Sequence, residues 1–359
     1  MARQGLHFFV GTQEDGPDCG IHHAVLDPLT GDMTLLGLAA QVRRPTWLEI
    51  DPTGHRLFAV SEIGNKGECD GEVLSFAIEP GETPLRLLGR ESTRGGGPTH
   101  LCLPIAADAV FAANFGGGQA ARLAVNSDGG LEPATLSTAH SGCGPHPRQD
   151  QPHPHGVALS PDGGFLLVPD MGNDQLVVHA LSGGDFAPSP AHICQFPPGT
   201  GPRLVAFGPD GARAYLLSEL SAELFVLDWD KETGEPEIIG RMPLDRTEAD
   251  GAPSAAALAI SRDGRHLYVS NRRSATICTF AIDPVSAMPS LTGSIGSGGN
   301  RPWGIAMSRD ERWLLVANQG SNAVAAFRRS PRDGALTRAD GPALSIPTPT
   351  NIAFCVPRE

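Results

Sequence analysis

The segment 140–156, HSGCGPHPRQDQPHPHG, brings four of the chain's 12 histidines together with Arg148 and Gln149. Histidine, with an ordinary pKa near ~6.5, can take up and return a proton at neutral pH. Arginine is a permanent cation whose planar fork fits a carboxylate, a phosphate or a developing oxyanion. Together these residue types could move a proton and hold an anion at one site. Metal chemistry has less support, because no ligand set has single-ion spacing and H-E-x-x-H is missing. Pro154 holds the chain extended between His153 and His155, and their imidazoles are expected on opposite sides. No metal and no cofactor are expected. The only lysines, Lys66 and Lys231, sit in polar turns, which sets Schiff-base chemistry aside. Neither a G-x-S-x-G elbow nor a G-x-x-x-x-G-K-[ST] phosphate loop occurs, so the Gly-rich stretches at 95–97 and 116–118 read as turns.

The elements that must position these side chains are short and turn-bounded, since the 359 residues include 44 glycines and 32 prolines. Six segments repeat one pattern: PTWLEIDPTGHRLFAVSE from Pro45, PTHLCLPIAADAVFAANF from Pro98, PHGVALSPDGGFLLVPD from Pro154, PRLVAFGPDGARAYLLSE from Pro202, AAALAISRDGRHLYVSNR from Ala255 and PWGIAMSRDERWLLVANQ from Pro302. Each is an apolar run, a tight turn and a second apolar run, which is a hairpin signal. The turn markers Gly54, Ala107, Gly163, Gly211, Gly264 and Glu311 recur at about fifty residues. Third and fourth strands follow, as in GEVLSFAIE from Gly71 and TPLRLLGRE from Thr83. Four strands at this period predict β-propeller blades. A seventh copy is split: PTNIAFCV from Pro349 matches the first strand, and LHFFVGT, GIHHAVLDP and GDMTLLG from Leu6, Gly20 and Gly31 match the rest. The expected fold is all-β, one domain over 1–359. It is a seven-bladed propeller with four antiparallel strands per blade, the last blade closed by strands from both termini.

In a repeat protein, chemistry belongs where equivalent positions differ. After the leading residue of each copy the positions read Thr46, Thr99, His155, Arg203, Ala256, Trp303 and Thr350. Past the second strand they read Glu62, Phe115, Asp170, Glu219, Arg272 and Gln319, with Thr12 in the split blade. Both sets are expected to line one mouth of the channel, and the ionisable members gather in blades three to five. That cluster is His155, Asp170, Arg203, Glu219 and Arg272, the candidate site residues. His146, Arg148, Gln149, His153, Asp170 and Glu62 are candidate substrate contacts, and the neutral Thr99 is expected to be dispensable.

A formal charge of −13 repels phosphate backbones and anionic lipid, so no nucleic-acid or membrane partner is expected. The seven cysteines form no C-x-x-C pair and the first residues, MARQGLHFFVGT, lack a signal-peptide apolar region, which together read as a cytoplasmic protein with reduced thiols. Oligomeric state is left open.

These residues carry a resemblance over essentially the whole chain to the seven-bladed lactonase family, which contains propeller-type 6-phosphogluconolactonases and fungal carboxymuconate cyclases. Its pieces are GPHPRQ and PHPHG in 144–156, GPR at 201–203, SEL at 218–220 and SNRR at 270–273. The resemblance implies that His155, Arg203, Glu219 and Arg272 form the active site and that the partner is a small anionic sugar lactone. Blade four departs from relatives in reading Ser-Glu-Leu where Asn-Glu-Leu is frequent. Three alternatives stand beside hydrolysis: a muconate-cyclase-like lactone-forming reaction, a non-enzymatic interaction platform, and a six-bladed type of metal lactonase using Glu62, Asn114, Asp170 and Asn271.

Overall fold

The computed structural model describes residues 5–81, 84–244 and 251–356. The ends of the expected domain, residues 1–4 and 357–359, and Thr83, where a fourth strand was expected to begin, lie outside them. Seven antiparallel sheets form a ring, and among the described residues there is no α-helix, only a 3-10 turn at Gln319–Ser321. Blade one shows the plan, with Leu48–Ile50, Arg56–Ser61, Glu72–Ile78 and Leu85–Ser92 paired in chain order. In blades three and six the fourth position is shared by two short strands, Asp185–Phe186 with His192–Gln195 and Leu336–Arg338 with Leu344–Ser345. The first strands of neighbouring blades touch around the channel.

The middle of the second strand of each copy is apolar because both of its faces are buried. Leu57 and Ala59 pack toward the seventh blade, whereas Phe58 and Val60, alternating with them, pack toward the second. The same alternation runs around the ring, so the core is seven apolar layers, one between each pair of blades. All six turn markers have positive φ, between 48° and 75°, which is why four of them are glycine.

The ring closes as the repeat predicts. Leu6–Thr12 pairs on one side with Ile21–Leu26 and on the other with Pro349–Phe354, in the register Phe8 to Phe354 and Val10 to Ile352. Deleting residues 348–359 is therefore expected to expose the edge of Leu6–Thr12 and leave Phe8, Phe9 and Val10 without their C-terminal partners. Size-exclusion chromatography with light scattering should show aggregates. A monodisperse truncated protein with native melting would mean that the closure contributes little.

Candidate active site

One backbone hydrogen bond recurs in every blade and marks the site. The N–H of the residue just past the second strand donates to a carbonyl at the start of the inner strand: Glu62 to Arg44, Phe115 to Gly97, Met171 to His153, Glu219 to Gly201, Arg272 to Ser254, Gln319 to Arg301 and Gln13 to Thr348. Two expectations are corrected by this ring. Asp170 and Thr12 are the last residues of their strands, and Met171 and Gln13 hold the equivalent positions, because these two copies were matched one residue short.

Several inner strands begin with a bulge. Pro202 pairs with Ser218 but Leu204 with Leu217, Pro98 with Asn114 but His100 with Ala113, and Pro302 with Asn318 but Gly304 with Ala317. Arg203, Thr99 and Trp303 are the extra residues, and a bulge re-aims the side chains around it. Gly201, which leads into Arg203, has φ +63°, and a Cβ there would lie 2.5 Å from the Leu220 side chain.

These devices bring the four principal candidates to one cavity of about 250 Å³. Glu219, 1% exposed, is its centre. Its Oε1 accepts from Arg148 Nη1 at 2.5 Å and Arg272 Nη2 at 2.7 Å, its Oε2 pairs with Arg203 Nη1, and His155 Nε2 lies 3.6 Å from Oε2. Arg203 Nη1 also donates to His155 Nε2 at 2.5 Å, so Nε2 is the accepting nitrogen, and Nδ1, which carries the proton of the neutral ring, is buried without a hydrogen-bond partner among the described residues. Arg203 Nε donates to the Ala256 carbonyl at 2.7 Å, while Arg272 donates to Ser254 Oγ at 3.0 Å and the Ala255 carbonyl at 3.1 Å. Both guanidinium groups lie over Trp303, 4.7 Å for Arg272 and 5.5 Å for Arg203.

The charges shift one another. Burial on its own would raise the Glu219 pKa, but Arg272, Arg203, His155 and Arg148 outweigh it and hold the carboxyl well below its usual range. Burial, reinforced by Arg203, pushes His155 well below the ordinary imidazole value, and burial lowers Arg203 to about 10 despite Glu219. Three arginines meet one carboxylate at Glu219, and the other carboxylate lining the cavity, Glu62, faces Arg44, so the Glu219 cluster carries a surplus of positive charge in a chain of net charge −13.

The remaining candidates divide. Arg148, half exposed, lines the cavity, as does Glu62, which accepts from Asn65 at 2.6 Å and lies 3.6 Å from Arg44. Gln149 is a brace for the loop carrying Arg148: its Nε2 donates to the Met171 carbonyl and Asp174, and its Oε1 accepts from the His146 N–H. His146 accepts from the Arg148 N–H and shapes the same turn without lining the cavity. Asp170 is fully buried and holds His140 at 2.7 Å and the N–H groups of His153 and Gly172. His153 stacks on Phe115 at 4.2 Å, and His155 meets the same ring edge-on at 5.5 Å. The expectation of opposite sides is thereby corrected, since residues two apart in extended chain share a face. Thr99, expected to be dispensable, lines the cavity too, and its Oγ1 donates to the His155 carbonyl at 3.0 Å. Trp47, His100, Asn65 and Gln13 also line the cavity and were not singled out. The first two follow positions 46 and 99, where a bulged or irregular strand start lets consecutive residues reach the mouth.

The donor set imagined for a metal does not converge. Asp170 is committed as above, the Asn114 amide donates to the Thr93 carbonyl, and Asn271 Oδ1 accepts from the Arg273 N–H. Among the described residues no group of three or more His, Cys, Asp or Glu side chains is placed to hold a metal ion, and no helix is long and apolar enough to cross a membrane.

Residues 7–354 match the family described as lactonase, 7-bladed beta-propeller. The chain is 28% identical over 349 residues to the 6-phosphogluconolactonase of Bacillus subtilis, covering 96% of this chain and 97% of that protein. It superimposes on the periplasmic gluconolactonase of Pseudomonas aeruginosa with a TM-score of 0.89 at 30% identity, covering 98% and 99% of the two chains. A Lactobacillus plantarum protein matches with the same TM-score at 28% identity, covering 98% of this chain and all of the other.

Proposed function

From the chain's membership of the seven-bladed β-propeller lactonase family, that of enzymes hydrolysing lactones, we propose that it acts on an anionic sugar lactone of the 6-phosphogluconolactone or sugar-acid type. The observation that carries the proposal is the surplus of positive charge where Arg148, Arg203 and Arg272 converge on the single carboxylate of Glu219 beside a neutral imidazole. A neutral lactone would leave those charges unanswered, whereas a phosphate or carboxylate completes the pocket.

In this reading the substrate anion draws on the arginine fork and releases His155 Nε2 from Arg203. The imidazole then accepts a proton from the attacking water and returns it to the departing ring oxygen. Glu219, deeply ionised and shared among cations, is a poor base, and its role is to position the arginines. The reaction needs no metal in this scheme. We place it in the cytoplasm, where exposed thiols such as Cys69 and Cys143 stay reduced.

The test is acid release from 6-phosphogluconolactone, aldaric-acid lactones, a muconolactone and neutral gluconolactone, before and after exhaustive chelation. Turnover of an anionic lactone is expected to survive chelation. Arg272→Ala should raise KM for that substrate far more than for the neutral one, since the lost partner is a charge. Equal effects on both, or activity that returns only with a divalent cation, would overturn the reading.

A further inference from the structure

We infer that His100 is a further catalytic residue, whose Nε2–H donates to the lactone carbonyl oxygen and holds the oxyanion formed there. This rests on the lactonase reading and adds to it a group that stabilises the charge created by water attack.

The tautomer comes from the backbone. The Val157 N–H donates to His100 Nδ1 at 3.3 Å. A backbone N–H can only donate, so Nδ1 is the bare nitrogen and a neutral ring carries its proton on Nε2. Among the described residues Nε2 meets no hydrogen-bond partner, and the side chain lines the cavity together with His155 and Arg203. The ring is fixed against Trp47, with centroids 4.0 Å apart. Its neighbour Thr99 is tied to the His155 carbonyl, so two adjacent side chains of blade two grip residues 155 and 157 of blade three. His100 and His155 are thereby held as one unit.

The ring also stays neutral. Burial, with Arg203 adding to it, pushes its pKa down to about 3. It therefore offers an N–H without a charge that would compete for the substrate anion. The arginines are less free for this task. Nε and Nη1 of Arg203, and Nε and Nη2 of Arg272, are committed to protein acceptors. What remains to them is directed to the substrate's permanent anion. When water oxygen bonds to the carbonyl carbon, the π pair moves to the carbonyl oxygen and the water proton goes to His155. The oxyanion is held by His100 Nε2–H, and the pair returns as the ring C–O bond breaks and the ring oxygen takes the proton from His155. His100 begins and ends neutral.

The experiment compares wild type, His100→Ala and His100→Gln on 6-phosphogluconolactone or whichever anionic lactone proves better, alongside ¹⁵N-histidine NMR of the intact protein. Loss of one oxyanion donor predicts a kcat fall of about 10² to 10³ with little change in KM. Partial recovery is expected in His100→Gln, whose amide can donate. The NMR spectrum should show His100 as the Nε2–H tautomer, unchanged from pH 8 to 5. If His100→Ala melts lower but keeps its kcat, the residue is only a latch between blades and the inference fails. It fails equally if KM alone changes, or if the ring proves to be the Nδ1–H form or an imidazolium. A wild type inert on every lactone would sink the functional reading and this inference with it, whereas an active wild type with an unaffected His100→Ala sinks this inference alone.

Discussion

His155→Ala is expected to lower kcat by ~10² to 10⁴, the usual range for a lost general acid or base, while the protein keeps its fold. The structure adds a pH signature to that loss. In the free protein His155 is buried and faces Arg203, both of which favour the neutral ring. The acid limb of kcat/KM, which reports the free enzyme, should therefore lie well below the ordinary histidine range. A bound anion offsets the arginines and restores basicity, so the acid limb of kcat should lie at higher pH than that of kcat/KM. Coincident limbs near pH ~6.5 would count against His155 as the group held next to Arg203. Stability should follow the same sign. The unfolded chain takes the proton first, so the contribution is present above pH ~6.5 and is lost as pH falls toward the depressed value. His23 and His179, both lowered to about 4 chiefly by burial, act in the same direction. His155→Ala should thus lessen the acid sensitivity of melting without abolishing it.

The repeat was legible in the sequence because both faces of each second strand are buried, which leaves long apolar runs between turns whose positive φ selects glycine. His155, Arg203, Glu219 and Arg272 were legible because they break the equivalence of positions that the fold keeps equivalent. The limits are just as physical. Asp170 was matched to the wrong ring position since its copy stops one residue early, and only the repeated backbone bond from Met171 to His153 reveals the true register. Trp47 and His100 escaped an alternation rule because the strand starts that carry them are not regular. No local pattern announces that Arg148 meets Glu219 across 71 residues of chain, since that contact depends on a loop folding back over the mouth under the grip of Gln149.

Glu219→Gln is expected to damage both folding and turnover, for one reason. The substitution keeps the shape of the side chain and removes the charge that three arginines share. Arg203 and Arg272 are 4% and 8% exposed, so water cannot replace the lost carboxylate. Breaking a buried ion pair by removing one partner costs about 3–5 kcal/mol, and here one carboxylate serves more than one cation. A clear fall in melting temperature should accompany loss of kcat, because the arginine fork that receives the substrate anion would spread. Two further measurements separate a charge effect from generic damage. Inorganic phosphate should raise the melting temperature of Glu219→Gln more than that of wild type, since it supplies the missing negative charge to the same guanidinium groups. Combining Glu219→Gln with Arg272→Met should be less destabilising than the sum of the two single changes, because the second removes a cation that the first left unpaired. The double variant should nevertheless stay inactive, having lost the arrangement that binds the anion. If Glu219→Gln instead melts and turns over like wild type, the carboxylate is not what organises the arginines, and the case for an anionic substrate loses its support.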